Sequence, residues 1–228
     1  MMKTFIHRLM SDPSFKGQWV HHEVIPARGH HTVQPENPLP RPLVEALSAL
    51  GIHNLYRHQA RALDLVSRGK NIAVATPTAS GKSLAYNLPV FSAVFKESST
   101  RALYLFPLKA LGQDQRKALT LLSEALPVEL RPRVAIYDGD TTPYKRQQIR
   151  RQLPHILITN PDMLHLSLLP YHEQWEEFWK ALRFVVIDEM HTYRGIFGSH
   201  IVQVMRRLRR VCRHYGAQPL FITCSATI

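Results

Sequence analysis

The chain has 228 residues, 45% of them hydrophobic, and a formal net charge of +12 at pH 7. This length and composition favour one domain with a sizeable core. They exclude a membrane-spanning protein, because no apolar run reaches ~18 residues. The excess of lysine and arginine predicts affinity for a polyanion.

Residues 1–40 are interpreted as an N-terminal extension. A polar start is followed by residues 18–25, which suit either an edge strand or an ordered arm. A series of prolines then predicts an extended linker. These prolines are Pro26, Pro35, Pro38, Pro40 and Pro42. The domain proper is expected to occupy residues 41–228.

Predicted helices and strands alternate through residues 41–228. The predicted helices lie at 43–50, 57–67, 82–95, 109–125, 143–152, 161–168, 172–181 and 197–214. The predicted strands lie at 71–75, 101–106, 133–137, 155–159, 183–187 and 219–224. Alternation with short turns predicts a mostly parallel sheet covered by helices on both faces, which is an α/β fold of three layers.

A candidate phosphate-binding loop follows the strand predicted at 71–75. Residues 78–83 read Thr-Ala-Ser-Gly-Lys-Ser and open a helix, whose first backbone N–H groups suit a triphosphate. Lys82 is expected to reach the terminal phosphates, and the Ser83 hydroxyl is expected to bind Mg²⁺. Thr76 stands where the first glycine of the usual pattern belongs, so the loop alone is a weak match.

Two carboxylates follow the buried strand predicted at 183–187. Asp188 is expected to hold Mg²⁺, which takes few carboxylates and keeps several waters. Glu189 is expected to orient and deprotonate an attacking water. A strand that simply ends in two solvated acids is the alternative. The occurrence of Lys82 well upstream, with room for several strand–helix units between, favours a nucleoside-triphosphate site.

Further motifs occur in the order found in superfamily 2 DExH-type helicases. The Q-motif is Leu55-Tyr56-Arg57-His58-Gln59, and motif I is Thr78-Ala79-Ser80-Gly81-Lys82-Ser83. Motif Ia is Phe106-Pro107-Leu108-Lys109-Ala110-Leu111, a backbone-contacting turn is Tyr137-Asp138-Gly139-Asp140-Thr141, and motif Ib is Thr159-Asn160-Pro161-Asp162-Met163. Motif II is Asp188-Glu189-Met190-His191, and motif III is Ser225-Ala226-Thr227. Over roughly residues 40–228 the chain resembles the first RecA-like domain of the helicase group typified by mitomycin repair factor A, related to the RecQ-like fungal helicases. The resemblance implies a RecA-like P-loop NTPase fold.

The resemblance also implies ATP and Mg²⁺ as cofactors. The implied ATP-binding residues are Tyr56, Gln59, Thr78, Ala79, Ser80, Gly81, Lys82, Ser83 and Asp188. Gln59 would hydrogen-bond the adenine edge. His191 joins Lys82, Asp188 and Glu189 in catalysis and would couple the ATP site to Ser225 or Thr227, because a near-neutral imidazole can both donate and accept.

Contacts to a nucleic-acid backbone are implied by the same resemblance. The implied residues are Pro107, Lys109, Gly139, Thr159, Asn160 and Asp162. Such contacts position a strand without reading its sequence and are weakened by salt. Local interpretations compete with them, because Asn160 is also an ordinary helix N-cap and Gly139 an ordinary turn residue. The expected partner is single-stranded or partly duplex nucleic acid, with DNA expected over RNA.

Clustered basic residues and histidines are given structural interpretations. Lysines and arginines at 145–151 lie on one predicted helix, and arginines at 206–213 lie opposite an apolar stripe on another. The arginines opposite the stripe are interpreted as a solvated face, and they raise the background affinity for polyanions. The paired histidines at 21–22 and 30–31 lack the ligand spacing of a zinc site.

The two cysteines, Cys212 and Cys224, have neither metal-site spacing nor a disulfide framework. A reduced, cytoplasmic setting is therefore expected. Residues 1–8 contain no apolar segment of a secretory signal. We expect a soluble protein with no membrane partner.

Helicases of this kind bind ATP between two RecA-like domains, so the resemblance implies a second such domain as a partner. Motif III lies at the end of the sequence. By itself the chain is therefore expected to bind ATP–Mg²⁺ and a strand weakly, to hydrolyse slowly and not to unwind. Two alternatives are a nucleotide-dependent nucleic-acid-binding module without motor activity and a P-loop phosphotransferase. Motif III and residues 106–111 argue against the phosphotransferase.

Overall fold

The computed structural model describes residues 2–24, 29 and 31–227. These fall into two compact units, Met1–His30 and His31–Ile228. The division comes ten residues before the domain boundary predicted at residue 40, and that boundary stays a prediction.

The first unit contains a helix that the sequence analysis did not predict. Helix α1 spans Met2–Ser11, and a single 3-10 turn spans Pro13–Phe15. Side chains three residues apart, Ile6 and Leu9, are half-buried on α1. The edge strand considered for residues 18–25 is absent from 18–24, which are irregular or turn, and Ile25 lies outside the described residues.

The second unit contains the remaining helices. They are α2 (Arg41–Ala49), α3 (Arg57–Ser67), α4 (Lys82–Lys96), α5 (Lys109–Glu124), α6 (Pro143–Gln152), α7 (Pro161–Met163), α8 (Glu176–Lys180) and α9 (Gly195–His214). Single 3-10 turns occupy Val128–Leu130, His172–Trp175 and Met190–Thr192, and a π-helical turn occupies Leu164–Leu168. The helices predicted at 161–168 and 172–181 are each composite, because the winding changes within them.

A six-stranded sheet forms the centre of this unit. Its strands are β1 (Ile72–Ala75), β2 (Arg101–Leu105), β3 (Val134–Ile136), β4 (Ile156–Thr159), β5 (Leu182–Ile187) and β6 (Leu220–Ser225). Every pair is parallel, in the order β1-β6-β5-β2-β4-β3. The predicted parallel sheet is confirmed, and its strand ends agree with the prediction to within one residue.

An apolar core lies on each face of the sheet. Side chains from α2, α3, α4 and α5 fill one core, in which Leu43, Tyr86, Phe91 and Leu119 are fully buried. The second core contains the buried Trp175, Phe178, Trp179 and Leu208, from the 3-10 turn before α8, from α8 and from α9. The three-layer αβα architecture is therefore confirmed.

All six strands end at one edge of the sheet, because they run parallel. We call the segments at the carboxyl ends of β1, β6 and β5 the β1 side of this edge; they are residues 76–83, 225–227 and 188–191. The segments at the carboxyl ends of β2, β4 and β3 form the β3 side; they are residues 106–109, 159–162 and 138–141. In the described ranges, no helix is both long and apolar enough to cross a lipid bilayer.

Candidate functional site

The loop between β1 and α4 has a backbone that depends on glycine. Gly81 has φ +75° and Ala79 has φ +59°, both in the left-handed region. A Cβ atom on Gly81 would lie 2.6 Å from Nε2 of Gln59, so both backbone and space require glycine there. Thr76, which replaces the usual first glycine, places its Oγ1 2.7 Å from Oγ of Ser80. This hydrogen bond closes the loop on itself.

Lys82 lies inside this loop and is only 8% exposed. Its ammonium donates to the carbonyl oxygens of Thr76 at 2.9 Å and Pro77 at 3.0 Å. Among the described residues, the N–H groups of residues 79–83 have no hydrogen-bond acceptor. They lie at the N-terminus of α4, where free N–H groups and the helix dipole favour an anion. Ser83 is half-buried next to them.

The side chain of Asp188 connects the end of β5 to α4. The residue follows a buried strand and is 9% exposed. Oδ1 accepts from the N–H of Glu189 at 2.8 Å, and Oδ2 accepts from the hydroxyl of Tyr86 on α4 at 2.9 Å. Glu189 has φ +51°, a strained conformation for a residue with a side chain. The helix that follows motif I is thus joined to motif II by a direct hydrogen bond.

Tyr86 is a site residue to which the sequence analysis gave no role. It is fully buried, and its hydroxyl lies within 3.0 Å of Oε1 of Gln115 as well as within reach of Asp188. Burial, followed by the charge of Asp188, raises the pKa of the phenol well above its usual value, so the phenol keeps its hydrogen. The available signal was a tyrosine one turn after Lys82 on the buried face of α4.

Motif III lies beside the loop. The carbonyl of Ser225 accepts from the N–H of Thr76 at 3.3 Å, and the Ser225 hydroxyl donates to the carbonyl of Thr227. Nδ1 of His191 lies 3.2 Å from the carboxylate of Glu189. The contact expected from His191 to Ser225 or Thr227 is not made in this arrangement and stays a prediction.

The Q-motif residues contact the loop from α3. Gln59 is 2% exposed; its Oε1 accepts from the N–H of Tyr56, and its Nε2 donates to the carbonyl of Gly81, both at 2.9 Å. One amide hydrogen and one oxygen lone pair of Gln59 are not used by these bonds. The ring of Tyr56 stacks against that of His58, with centroids 5.9 Å apart. Gln59 thus contacts the phosphate-binding loop directly, and the role of Tyr56 and Gln59 in base binding stays a prediction.

On the β3 side, two predicted contact residues use their side chains internally. Thr159 is 4% exposed, and its hydroxyl donates to the carbonyl of Tyr137 at 2.6 Å. Oδ1 of Asn160 accepts from the N–H of Met163 at 2.8 Å and caps α7. Asp162, on the first turn of α7, is exposed. The competing N-cap interpretation of Asn160 is therefore present in the structure.

The turn after β3 is also held by internal hydrogen bonds. Oδ1 of Asp138 accepts from the Asp140 N–H and the Thr141 hydroxyl, at 3.0 and 2.9 Å. Arg146 donates to the carbonyls of Thr141 at 2.9 Å and Asp138 at 3.1 Å. Arg146, one of the clustered basic residues at 145–151, therefore fixes the turn.

Besides Asp162, three predicted contact residues of the β3 side are accessible. Lys109 is exposed, and its ammonium lies 2.7 Å from Oδ1 of Asp140, a hydrogen bond that raises the lysine pKa. Gly139 is exposed at the tip of the turn, and Pro107 is half-exposed directly after β2. The predicted site residues thus form two groups along one edge of the sheet.

Comparison with known sequences gives a consistent result. The DEAD/DEAH box helicase family matches residues 56–228. An uncharacterized ATP-dependent helicase of Bacillus subtilis, YprA, is 48% identical over 206 residues, which are 87% of this chain and 27% of the relative. The ATP-dependent helicase HRQ1 of Saccharomyces cerevisiae is 42% identical over 188 residues, which are 81% of this chain and 17% of the relative.

Solved structures agree with these sequences. The helicase MrfA bound to DNA and AMPPNP matches with a TM-score of 0.87 at 46% identity, over 97% of this chain and 31% of that chain. The helicase Lhr of Mycobacterium smegmatis bound to single-stranded DNA and AMP-PNP matches with a TM-score of 0.73 at 28% identity, over 86% of this chain and 26% of that chain. The chain spans less than a third of the length of each relative. With a RecA-like fold, a family match over most of its length and the resemblance to the MrfA and RecQ-like group confirmed, this chain belongs to the DEAD/DEAH box helicases.

Proposed function

We propose that this chain is the ATP-binding motor domain of an ATP-dependent DNA helicase or translocase. The observation that carries the proposal is the 2.9 Å hydrogen bond from Tyr86 to Asp188, which holds the acidic end of β5 against the helix of the phosphate-binding loop. Related proteins named as ATP-dependent helicases support the same activity. The relative MrfA, bound to DNA and AMPPNP, supports both ligands.

Nucleotide binding would use groups that already surround the loop. Lys82 would exchange its two carbonyl acceptors for phosphate oxygens, and the free N–H groups of residues 79–83 would bind the same phosphates. The unused donor and acceptor of Gln59 match the N7 and N6 positions of adenine, which an amide side chain can pair at once. The ring of Tyr56 lies beside that position.

Ser83 and Asp188 are the residues that would hold Mg²⁺. The described residues contain no group of three or more His, Cys, Asp or Glu side chains suited to a metal. That sparse donor set fits Mg²⁺, which is commonly held by one or two protein oxygens together with phosphate and water. When bound, the ion neutralises charge on the phosphates. Tyr86 and the Glu189 N–H would orient the carboxylate of Asp188 toward it.

Glu189 would act as the base that orients and deprotonates the attacking water. Its positive φ turns the residue out of the line of β5, directly after Asp188. His191, with Nδ1 3.2 Å from the Glu189 carboxylate, would transmit the state of that carboxylate toward Ser225 and Thr227. Such a relay needs a side chain that can both donate and accept.

The β3 side would bind a nucleic-acid backbone, with Lys109 neutralising a phosphate and the segment around Gly139 donating backbone hydrogen bonds. DNA is proposed over RNA, because the relatives MrfA and Lhr are bound to DNA. A second RecA-like domain would complete the ATP site and supply an arginine, a contribution of about 10³–10⁵ in rate in related enzymes. A cytoplasmic location is part of the proposal, supported by the free, buried Cys212 and Cys224.

ATP hydrolysis by the chain tests this proposal. We expect slow hydrolysis that single-stranded DNA accelerates more than RNA of the same sequence, and no strand separation. Nucleotide-dependent strand binding without any hydrolysis would favour the binding module instead. A rate of ATP turnover that DNA does not change, but that a small-molecule phosphate acceptor increases, would favour a phosphotransferase.

A further inference from the structure

Residues 31–37, which we call the strap segment, lie against the start of α3. Thr32 and Tyr56 form an antiparallel bridge. The N–H of Val33 donates to the carbonyl of Leu55 at 3.0 Å, and the N–H of Arg57 donates to the carbonyl of His31 at 2.9 Å. The strap segment therefore holds the backbone of the Q-motif on both sides of Tyr56.

The other end of the strap segment is bound to the end of α3. Asn37 donates two hydrogen bonds to α3. Its backbone N–H donates to Oδ1 of Asp64 at 3.2 Å, and its Nδ2 donates to Oγ of Ser67 at 2.8 Å. Glu36 forms an ion pair with Arg68. The strap segment thus fixes α3 at its first and last turns.

A short series of hydrogen bonds connects the strap segment to the phosphate-binding loop. Tyr56 caps α3, and its N–H donates to Oε1 of Gln59. The Nε2 of Gln59 then donates to the carbonyl of Gly81, the residue before Lys82. Each of these contacts measures 2.9 Å. The position of the Gln59 amide therefore depends on the backbone that the strap segment holds.

We propose that the strap segment is a positioning element for recognition of the nucleotide base. It fixes residues 55–57, so that Gln59 presents its unused donor and acceptor to a purine in one orientation. Val33 holds the Q-motif through its backbone N–H and not through packing of its side chain, because the residue is 43% exposed. The inference rests on the ATP binding proposed above and adds that residues outside the Q-motif set the selectivity for the base.

The variant Val33→Pro tests the proposal in the whole chain, because proline removes the N–H that donates to Leu55. We expect ATP to bind about fivefold more weakly, the effect of one lost hydrogen bond. Binding of inorganic tripolyphosphate, which has no base, should not change. Calorimetric titration with each ligand gives both affinities. Val33→Ala keeps the N–H and is the matched control, expected to bind both ligands as the unaltered chain does.

A second proline and a double variant separate positioning from a general loss of structure. Gln34→Pro places proline where, among the described backbone groups, the N–H makes no hydrogen bond, and should leave both affinities unchanged. In a Gln59→Ala background, Val33→Pro should weaken ATP binding no further, because both changes remove the same contact.

Two results would overturn the proposal. One is an equal loss of ATP and tripolyphosphate affinity in Val33→Pro, which is the result of a damaged fold. The other is a full additional loss in the Gln59→Ala background. If the unaltered chain binds neither ligand, the proposed ATP site itself is wrong, an outcome distinct from failure of the strap segment. A lower thermal unfolding midpoint of Val33→Pro does not affect this test, because the affinities for ATP and tripolyphosphate are compared within the same variant.

Discussion

The two sides of the carboxyl edge use polar side chains in opposite ways. On the β1 side, Lys82 and Asp188 are nearly buried and face the loop, where each can exchange or share its hydrogen bonds with a ligand. On the β3 side, the polar atoms of Thr159 and Asn160 already satisfy nearby backbone groups. We therefore expect the β1-side residues to contact a ligand through their side chains, whereas Thr159 and Asn160 shape the backbone that a ligand would contact.

The largest effect is expected from Glu189→Gln on the β1 side. Loss of the base should lower the rate of ATP hydrolysis at least ~100-fold. ATP affinity should stay within about twofold, because Lys82 and the loop are untouched; a tenfold change would correspond to ~1.4 kcal/mol. Single-turnover hydrolysis and calorimetry measure the two quantities. Hydrolysis at the unaltered rate would show that Glu189 is not the base.

Lys82→Ala should have the next largest effect. Removing a charged donor from the phosphate site should lower ATP affinity by about 10- to 100-fold, as for hydrogen bonds to charged groups. Lys96→Ala is the matched control, since Lys96 is an exposed lysine at the other end of the same helix. Equal affinities for the two variants would remove Lys82 from the proposed site.

Thr159→Val sharpens the comparison from the β3 side. The variant removes the hydroxyl that donates to the buried carbonyl of Tyr137, so the free energy of unfolding should fall by about 1–2 kcal/mol. DNA affinity, measured by fluorescence anisotropy, should not change, because the hydroxyl faces inward. Weaker DNA binding at unchanged stability would mean that Thr159 contacts the strand directly.

Lys109→Gln is expected to have the smallest effect. The lysine is exposed and paired with Asp140, so the variant should change stability by less than about 1 kcal/mol. DNA affinity should fall a few-fold, and the slope of log affinity against log salt should decrease by about 0.7, the value for one phosphate contact on a single strand. Asp140→Asn, which leaves the lysine unpaired, should bind DNA at least as well. An unchanged salt slope would place the phosphate contact elsewhere.

The sequence was sufficient for the sheet and for the position of the β1-side motifs at its carboxyl edge, whereas the roles of those residues stay predictions. Burial periodicity and turn residues predicted each strand to within one residue, because parallel strands are apolar along their whole length and end in loops. Lys82 and Asp188 were predicted because their motifs are local in sequence. The inward-facing hydroxyl of Thr159 could not be predicted, because its acceptor, Tyr137, is 22 residues away.

Other contacts escaped prediction for the same physical reason. Arg146 belongs to a charge cluster, and its two carbonyl acceptors become visible only when the turn before α6 is folded. The strap segment consists mostly of exposed residues around Pro35, and its contacts to residues 55–57 are made by backbone groups, which carry no sequence signal. Sequence patterns report burial and local geometry, whereas these contacts depend on which segments meet.

The buried phenol of Tyr86 has a consequence for communication between the two proposed binding sites. Its oxygen lies 2.9 Å from Asp188 and 3.0 Å from Gln115, which is on α5, the helix that begins with Lys109. A phenol has one hydrogen to donate, and a carboxylate is a stronger acceptor than an amide. When the phenol donates to Asp188, its oxygen is free to accept a hydrogen bond. If the side-chain amide of Gln115 is flipped by 180°, its nitrogen donates to that oxygen, and the two linked hydrogen bonds strengthen each other. A displacement of α5 would break the hydrogen bond between Gln115 and the phenol, and the bond from the phenol to Asp188 would weaken. Binding of a strand near Lys109 that moves α5 would then change the charge on the Asp188 carboxylate oxygen at the proposed ATP site.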